Sequence, residues 1–158
     1  GGWFRSAYAI RFLATVSYLV LEMPFRSGPG AMSAFGSAIR ISFAGMAVGF
    51  LAVALLPGYR VGLLHLTLVG GFALITFVVA TRVVMGHSGD IERLQGRNWW
   101  FYVAVTLMLL GMATRISGDF LPHIMASHYS YGAIGWILGV VIWAGYVLPK
   151  VLVTEPED

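Results

Sequence analysis

Five long apolar runs, separated by short stretches rich in proline, glycine and charge, leave this chain few ways to fold. A helix needs about 20 residues to cross the hydrocarbon core of a bilayer. The runs, at 7–23, 33–56, 60–85, 98–116 and 131–153, are near that length. Apolar segments of this length normally sit in lipid. The breaks agree with helices. Pro24 stops the first run and opens a turn-rich linker, Pro57-Gly58 stops the second, and Gly86 ends the third before a polar loop at 88–97. Ser117-Gly118-Asp119 is expected to break the fourth run, and Pro149 to kink or fray the last turn of the fifth. Residues 120–130 are too few to cross and read as a loop or an interfacial helix. Trp99-Trp100-Phe101-Tyr102 has the makeup of an aromatic belt at a membrane surface. The expected fold is all-α: a polytopic transmembrane bundle of about five spans, with residues 1–158 forming a single transmembrane domain.

Charge supports that reading and excludes others. Only 11% of residues are charged and 58% are hydrophobic, whereas a soluble domain carries about 25% charged residues. The net charge of +3 is scattered, so no basic stripe exists for nucleic acid, and the expected partner is the lipid bilayer. An odd number of spans places the termini on opposite faces. Arg26, Arg40, Arg82, Arg93, Arg97 and Lys150 then outnumber Arg5, Arg11, Arg60 and Arg115, which places the C-terminus in the cytoplasm. Cysteine is absent, so disulfides and thiolate chemistry are excluded, and a metal would need His, Met, Asp, Glu, Tyr or backbone oxygen. The seven methionines read as packing residues. The chain opens on Gly1-Gly2-Trp3-Phe4 without Met and closes on the acidic tail Glu155-Pro156-Glu157-Asp158, as expected of a processed chain or one part of a longer protein.

The ionisable groups inside the runs carry the functional question, because such groups are costly in lipid. His65 and His87 are 22 positions apart, close to six helical turns and roughly 33 Å along the axis. On a regular helix they share a side but cannot hold one ion, so as ligands they belong to two sites near opposite faces. A haem at each end would use such a layout. A hydrogen bond across a helix interface accounts for His65 equally, and a helix stop accounts for His87. Arg82 either pairs with an anionic group such as a propionate or complements its helix C-terminus and snorkels. His123 and His128 lie between the fourth and fifth runs, with Asp119 near enough in sequence to complete a copper or zinc site; two ordinary surface histidines are the alternative. Glu22 and Arg26 read as a local i, i+4 pair. Arg11 and Arg40 sit inside apolar runs and can snorkel. Hydrolase, zinc-protease and nucleotide-binding signatures are missing.

The third run, with His65, Gly70, Gly71, Thr76, Thr81, Arg82 and Gly86-His87-Ser88-Gly89, resembles the NnrS family of bacterial membrane proteins. The resemblance implies a multi-pass protein of the bacterial cytoplasmic (inner) membrane that binds haem and copper and takes part in nitric oxide or nitrosative-stress metabolism. It implies His65 and His87 as ligands and Arg82 as the partner of an anionic group. It is expected to cover only a C-terminal part of family members, which carry more spans. Asp90 stands where the family motif often continues with Arg. The competing reading is a non-catalytic subunit packing against other membrane subunits, because Gly45, Gly49, Gly132, Gly135, Gly139 and Gly145 offer small faces for helix contacts. A small transporter fits less well, since no pair of broken helices marks a midplane site.

Overall fold

The computed structural model describes residues 2–22, 34–90 and 98–152. The linker after Pro24, the partner Arg26 proposed for Glu22, the loop residues Glu92, Arg93 and Arg97, and the acidic tail lie outside them. Within the described residues the chain is helical and without strands. Helix α1 spans Gly2–Glu22 and α2 spans Ala34–Leu55. The third crossing is a composite. A 3-10 turn at Pro57–Tyr59 leads into α3 (Arg60–His65), a π-helical stretch (Leu66–Ala73) and α4 (Leu74–His87). Helix α5 spans Trp99–Phe120, and a 3-10 turn at Pro122–Ile124 leads into α6 (Met125–Val151).

Four segments are long and apolar enough to cross a membrane: Ala34–Leu55, Pro57–His87, Trp99–Phe120 and Pro122–Val151. The protein is therefore a multi-pass membrane protein surrounded by lipid. Helix α1 is long enough but less apolar, and it packs along α2, with Tyr8 6.3 Å from Phe50 between ring centroids. The arginine inside its apolar run is exposed, with its guanidinium 4.8 Å from the Tyr8 ring centroid.

Two expected breaks are not where the sequence put them. Ser117-Gly118-Asp119 does not end the fourth span; α5 continues to Phe120. Ser117 bonds back to the Thr114 carbonyl at 2.8 Å, and Arg115 pairs with Asp119 one turn on at 2.7 Å, so these polar residues are served within the helix. Residues 120–130 likewise form no long loop. Pro122 occupies the first turn, where its missing N–H costs no helical bond, and α6 starts at Met125.

Helices α5 and α6 share the most extensive contact. Their backbones nearly touch at Gly111 and Gly132, where a Cβ on either would come within 2.6 or 2.8 Å of the other's carbonyl oxygen. Lipid gives helices no hydrophobic reason to associate, so close packing of this kind holds them together. Gly45 of α2 meets Gly70 of the π stretch in the same way, with a Cβ 2.8 Å from the Gly70 carbonyl carbon. The main core lies toward one end. Phe35, Leu74, Val78, Met85, Trp100, Phe101 and Val147 are buried together, with Phe35 and Phe101 rings 4.2 Å apart. Trp143 Nε1 donates to Thr81 Oγ1 at 2.8 Å and Lys150 pairs with Asp90, both joining α6 to the third crossing and its exit on that side. At the other end Tyr59 stacks on Phe120 at 4.3 Å.

Candidate functional site

The histidines on the third crossing are anchored by the helix that carries them. His65 Nδ1 lies 2.9 Å from the Val61 carbonyl, and His87 Nδ1 lies 2.9 Å from the Val83 carbonyl. His128 makes the same contact with Ile124 at 3.2 Å. A carbonyl only accepts, so in each ring Nδ1 carries a proton, and a ring in its neutral form keeps its lone pair on Nε2. This is the tautomer in which a histidine ligates a metal while its other nitrogen is held by a second group.

His65 borders a cleft of about 370 Å³ between the third crossing, α5 and α6, lined also by Met112, Arg115, Tyr129, Trp136 and Ile137. Gly111 and Gly132 lie on its wall, so the close approach of α5 and α6 shapes the cleft. The π stretch begins at the residue after His65; such insertions are frequent at functional sites. Trp136 Nε1 is buried beside the cleft without a hydrogen-bond partner among the described residues; Thr67 Oγ1 of the π stretch is likewise unpaired but packs against Gly49 of α2, outside the cleft lining. A buried, unpaired donor costs free energy on the order of 1–3 kcal/mol and calls for a reason.

A polar network forms one wall. Arg115 Nη1 donates to Asp119 Oδ1 at 2.7 Å, the Tyr129 hydroxyl donates to the same oxygen, and the Arg115 guanidinium lies 3.4 Å from the Tyr129 ring centroid. The Gly62 backbone N–H adds a weaker contact to the carboxylate. Gly62 also leaves room for the carboxylate, because a Cβ there would collide with Asp119 Oδ2 and displace it. The carboxylate thus ties α5 and α6 to the turn of α3 just before His65.

The remaining candidates are apart from this cleft. His87 borders a smaller cleft of about 240 Å³ with Val83, Val84, Lys150 and Val151. Both clefts border α6, one near its start and one near its end. Arg82 is exposed on α4 and lines neither cleft. His123 is exposed in the 3-10 turn, and His128 packs its Cβ against Gly118. Asp119 is engaged by Arg115 and Tyr129, and among the described residues no three His, Asp or Glu side chains gather as a metal cage. A metal held by protein alone therefore lacks its ligand set there. A haem, which brings four nitrogens of its own, needs one or two axial donors, and a free imidazole nitrogen supplies one. The imidazole of His65 and the thioether of Met112 on the same cleft are both donors that copper accepts. These residues fit an axial donor to haem; for copper they supply donor types without a full ligand set among the described residues.

Sequence reasoning missed the pairing of Arg115 with Asp119, a carboxylate that it offers to His123 and His128, and it missed Tyr129, Met112 and Trp136. The signal for the first two was an i, i+4 acid–base pair at the end of an apolar run. Tyr129 and Trp136 lie on the next helix and have no local signature.

A family profile described as NnrS protein matches residues 3–154. The chain belongs to the NnrS family. The match runs from the start of α1 past the end of α6, so it takes in the Arg115–Asp119–Tyr129 wall as well as the third crossing, where the sequence resemblance was carried. No curated protein and no solved structure matches this NnrS chain.

Proposed function

We propose that this NnrS-family protein holds haem or copper in the bacterial cytoplasmic membrane and takes part in nitric oxide metabolism. The observation that supports it is the anchoring of His65, whose Nδ1 is bound to the Val61 carbonyl while the ring borders a cleft between three membrane-crossing segments. His65 is the first ligand in this reading, and His87 serves a second site at the opposite end. When bound, haem or copper would supply coordination or redox chemistry toward a small ligand. The chain supplies an oriented imidazole and a largely apolar enclosure.

The test is purification in detergent, with the visible spectrum and metal content of the wild type compared with His65→Ala and His87→Ala. The expected result is a Soret band or stoichiometric copper in the wild type. Bound cofactor should fall about tenfold or more in His65→Ala, the loss typical when a metal site is disrupted. Absence of both signals in the wild type removes this reading and leaves that of a scaffold subunit.

A further inference from the structure

We infer that Arg5 and Arg60 together hold the phosphate of an anionic lipid headgroup, in a cleft between α1 and the start of the third crossing. This site is separate from the His65 cleft and does not depend on the cofactor reading.

The cleft has a volume of about 550 Å³ and is lined by Gly2, Phe4, Arg5, Pro57 and Arg60. Pro57 fixes its level in the bundle. One crossing segment ends at Leu55 and the next begins at Pro57, so the turn between them lies at an edge of the apolar layer. The Arg60 guanidinium lies 5.6 Å from the Phe4 ring centroid, so the first turn of α1 reaches the same edge. Trp3 and Tyr59 are exposed there, at 93% and 40%, and aromatic residues of this kind sit among headgroups.

The two arginines differ from other cations of the bundle. Arg115 is paired with Asp119 and Lys150 with Asp90. Arg5 and Arg60 are exposed, their cleft has no acidic residue in its lining, and neither forms an ion pair among the described residues. Snorkelling accounts for one arginine at a helix end. Here two arginines from different elements converge on one cavity, and one anion between them turns their mutual repulsion into two attractions. A phosphodiester suits the geometry, because it offers two unesterified oxygens and a guanidinium donates to such oxygens in parallel pairs. The Phe4 ring meets Arg60 by a cation–π contact, which orients the guanidinium and consumes none of its N–H donors. The rest of the lining is Gly2, Phe4 and Pro57, which suits a lipid whose chains stay in the apolar layer. Basic pockets between membrane helices take anionic headgroups in this way. Because α1 packs along α2 and meets the third crossing at Arg60, a bound headgroup would also tie α1 to that crossing.

The test titrates the full chain, delipidated in a neutral detergent, with phosphatidylglycerol and with phosphatidylcholine, and follows binding by native mass spectrometry. Phosphatidylglycerol should bind the wild type more tightly, since the choline of the other lipid brings a positive charge to two arginines. Arg5→Gln and Arg60→Gln should each weaken phosphatidylglycerol by about fivefold, and the double variant by about thirtyfold, with phosphatidylcholine unchanged. Arg11→Gln removes a charge from the same helix outside the cleft lining and should leave the affinity as in the wild type. Equal affinity for the two lipids in the wild type, or equal losses in Arg11→Gln and Arg5→Gln, overturns the inference. Inorganic phosphate binding as tightly as phosphatidylglycerol would make the occupant a soluble anion and overturns it too. The substituted side chains are exposed, so the variants should fold; where one does not, the contrast between the lipids in the wild type decides. Haem and copper content, measured on the same samples, should be equal in the wild type and the double variant. Cofactor lost in step with the lipid would assign the arginines to the cofactor and overturn the inference, whereas a wild type without cofactor removes only the cofactor reading.

Discussion

Toward its His87 end the third crossing is held mainly by packed side chains beside a smaller cleft, whereas toward its His65 end the same crossing borders a larger one. At the first end Leu74, Val78 and Met85 are buried against Phe35, Phe101 and Val147. Thr81 is wholly buried and its hydroxyl is satisfied twice, donating to the Phe77 carbonyl and accepting from Trp143. At the second end the helix gives way to a π stretch, Thr67 Oγ1 and Trp136 Nε1 are buried unpaired, and an ion pair stands on the cleft wall. One half of the crossing meets its packing and hydrogen-bonding demands internally. The other leaves two buried polar atoms unpaired and space beside the helix. That contrast is what a helix that both holds the bundle together and serves a ligand would have to show.

The contrast can be broken from either side. Phe101→Ala removes a side chain that is 1% exposed at the center of the packed end. It should destabilise the bundle by about 3–5 kcal/mol, as measured by thermal or denaturant unfolding in detergent. The cofactor bound per folded molecule should stay as in the wild type, and a parallel loss of both would show that the two ends are one unit. Gly62→Ala works at the other end, where the added methyl collides with Asp119 and displaces the carboxylate that ties α3 to α5 and α6. It should lower cofactor retention at His65 by about tenfold, with unfolding shifted far less than in Phe101→Ala; an unchanged visible spectrum and metal content would show that the carboxylate does not position His65. Lys150→Met removes the partner of Asp90 at the packed end. Partly exposed pairs contribute about 0–1 kcal/mol, so a shift beyond that range in unfolding would mark the pair as a structural clasp.

The bundle was legible in the sequence because lipid permits so few solutions. Run length and composition identified the crossings, and Pro57, Gly86 and the aromatic cluster at Trp99–Tyr102 marked their ends. The boundaries at Ser117–Asp119 and Phe120–Ser130 were misread for a definite reason. Polar residues and a proline act as breakers only when nothing nearby serves them, and here Arg115, the Thr114 carbonyl and a first-turn position do so. His65 was found by its cost in an apolar run. Its wall was not, because Tyr129 and Trp136 join Asp119 and His65 through the α5–α6 contact, and no local pattern encodes that juxtaposition.

Composition and apolar run length by themselves determined that this protein is a membrane bundle of helices, because a backbone in lipid must close its own hydrogen bonds. The pattern at the third run also indicated its family. Only the tertiary structure decided that His65 faces a cleft, that Asp119 neutralises Arg115 instead of joining His123 and His128, and that the crossing carries a π turn. The shape of that cleft depends on how closely two helices approach at Gly111 and Gly132, a distance set by packing across the bundle and not by either helix alone.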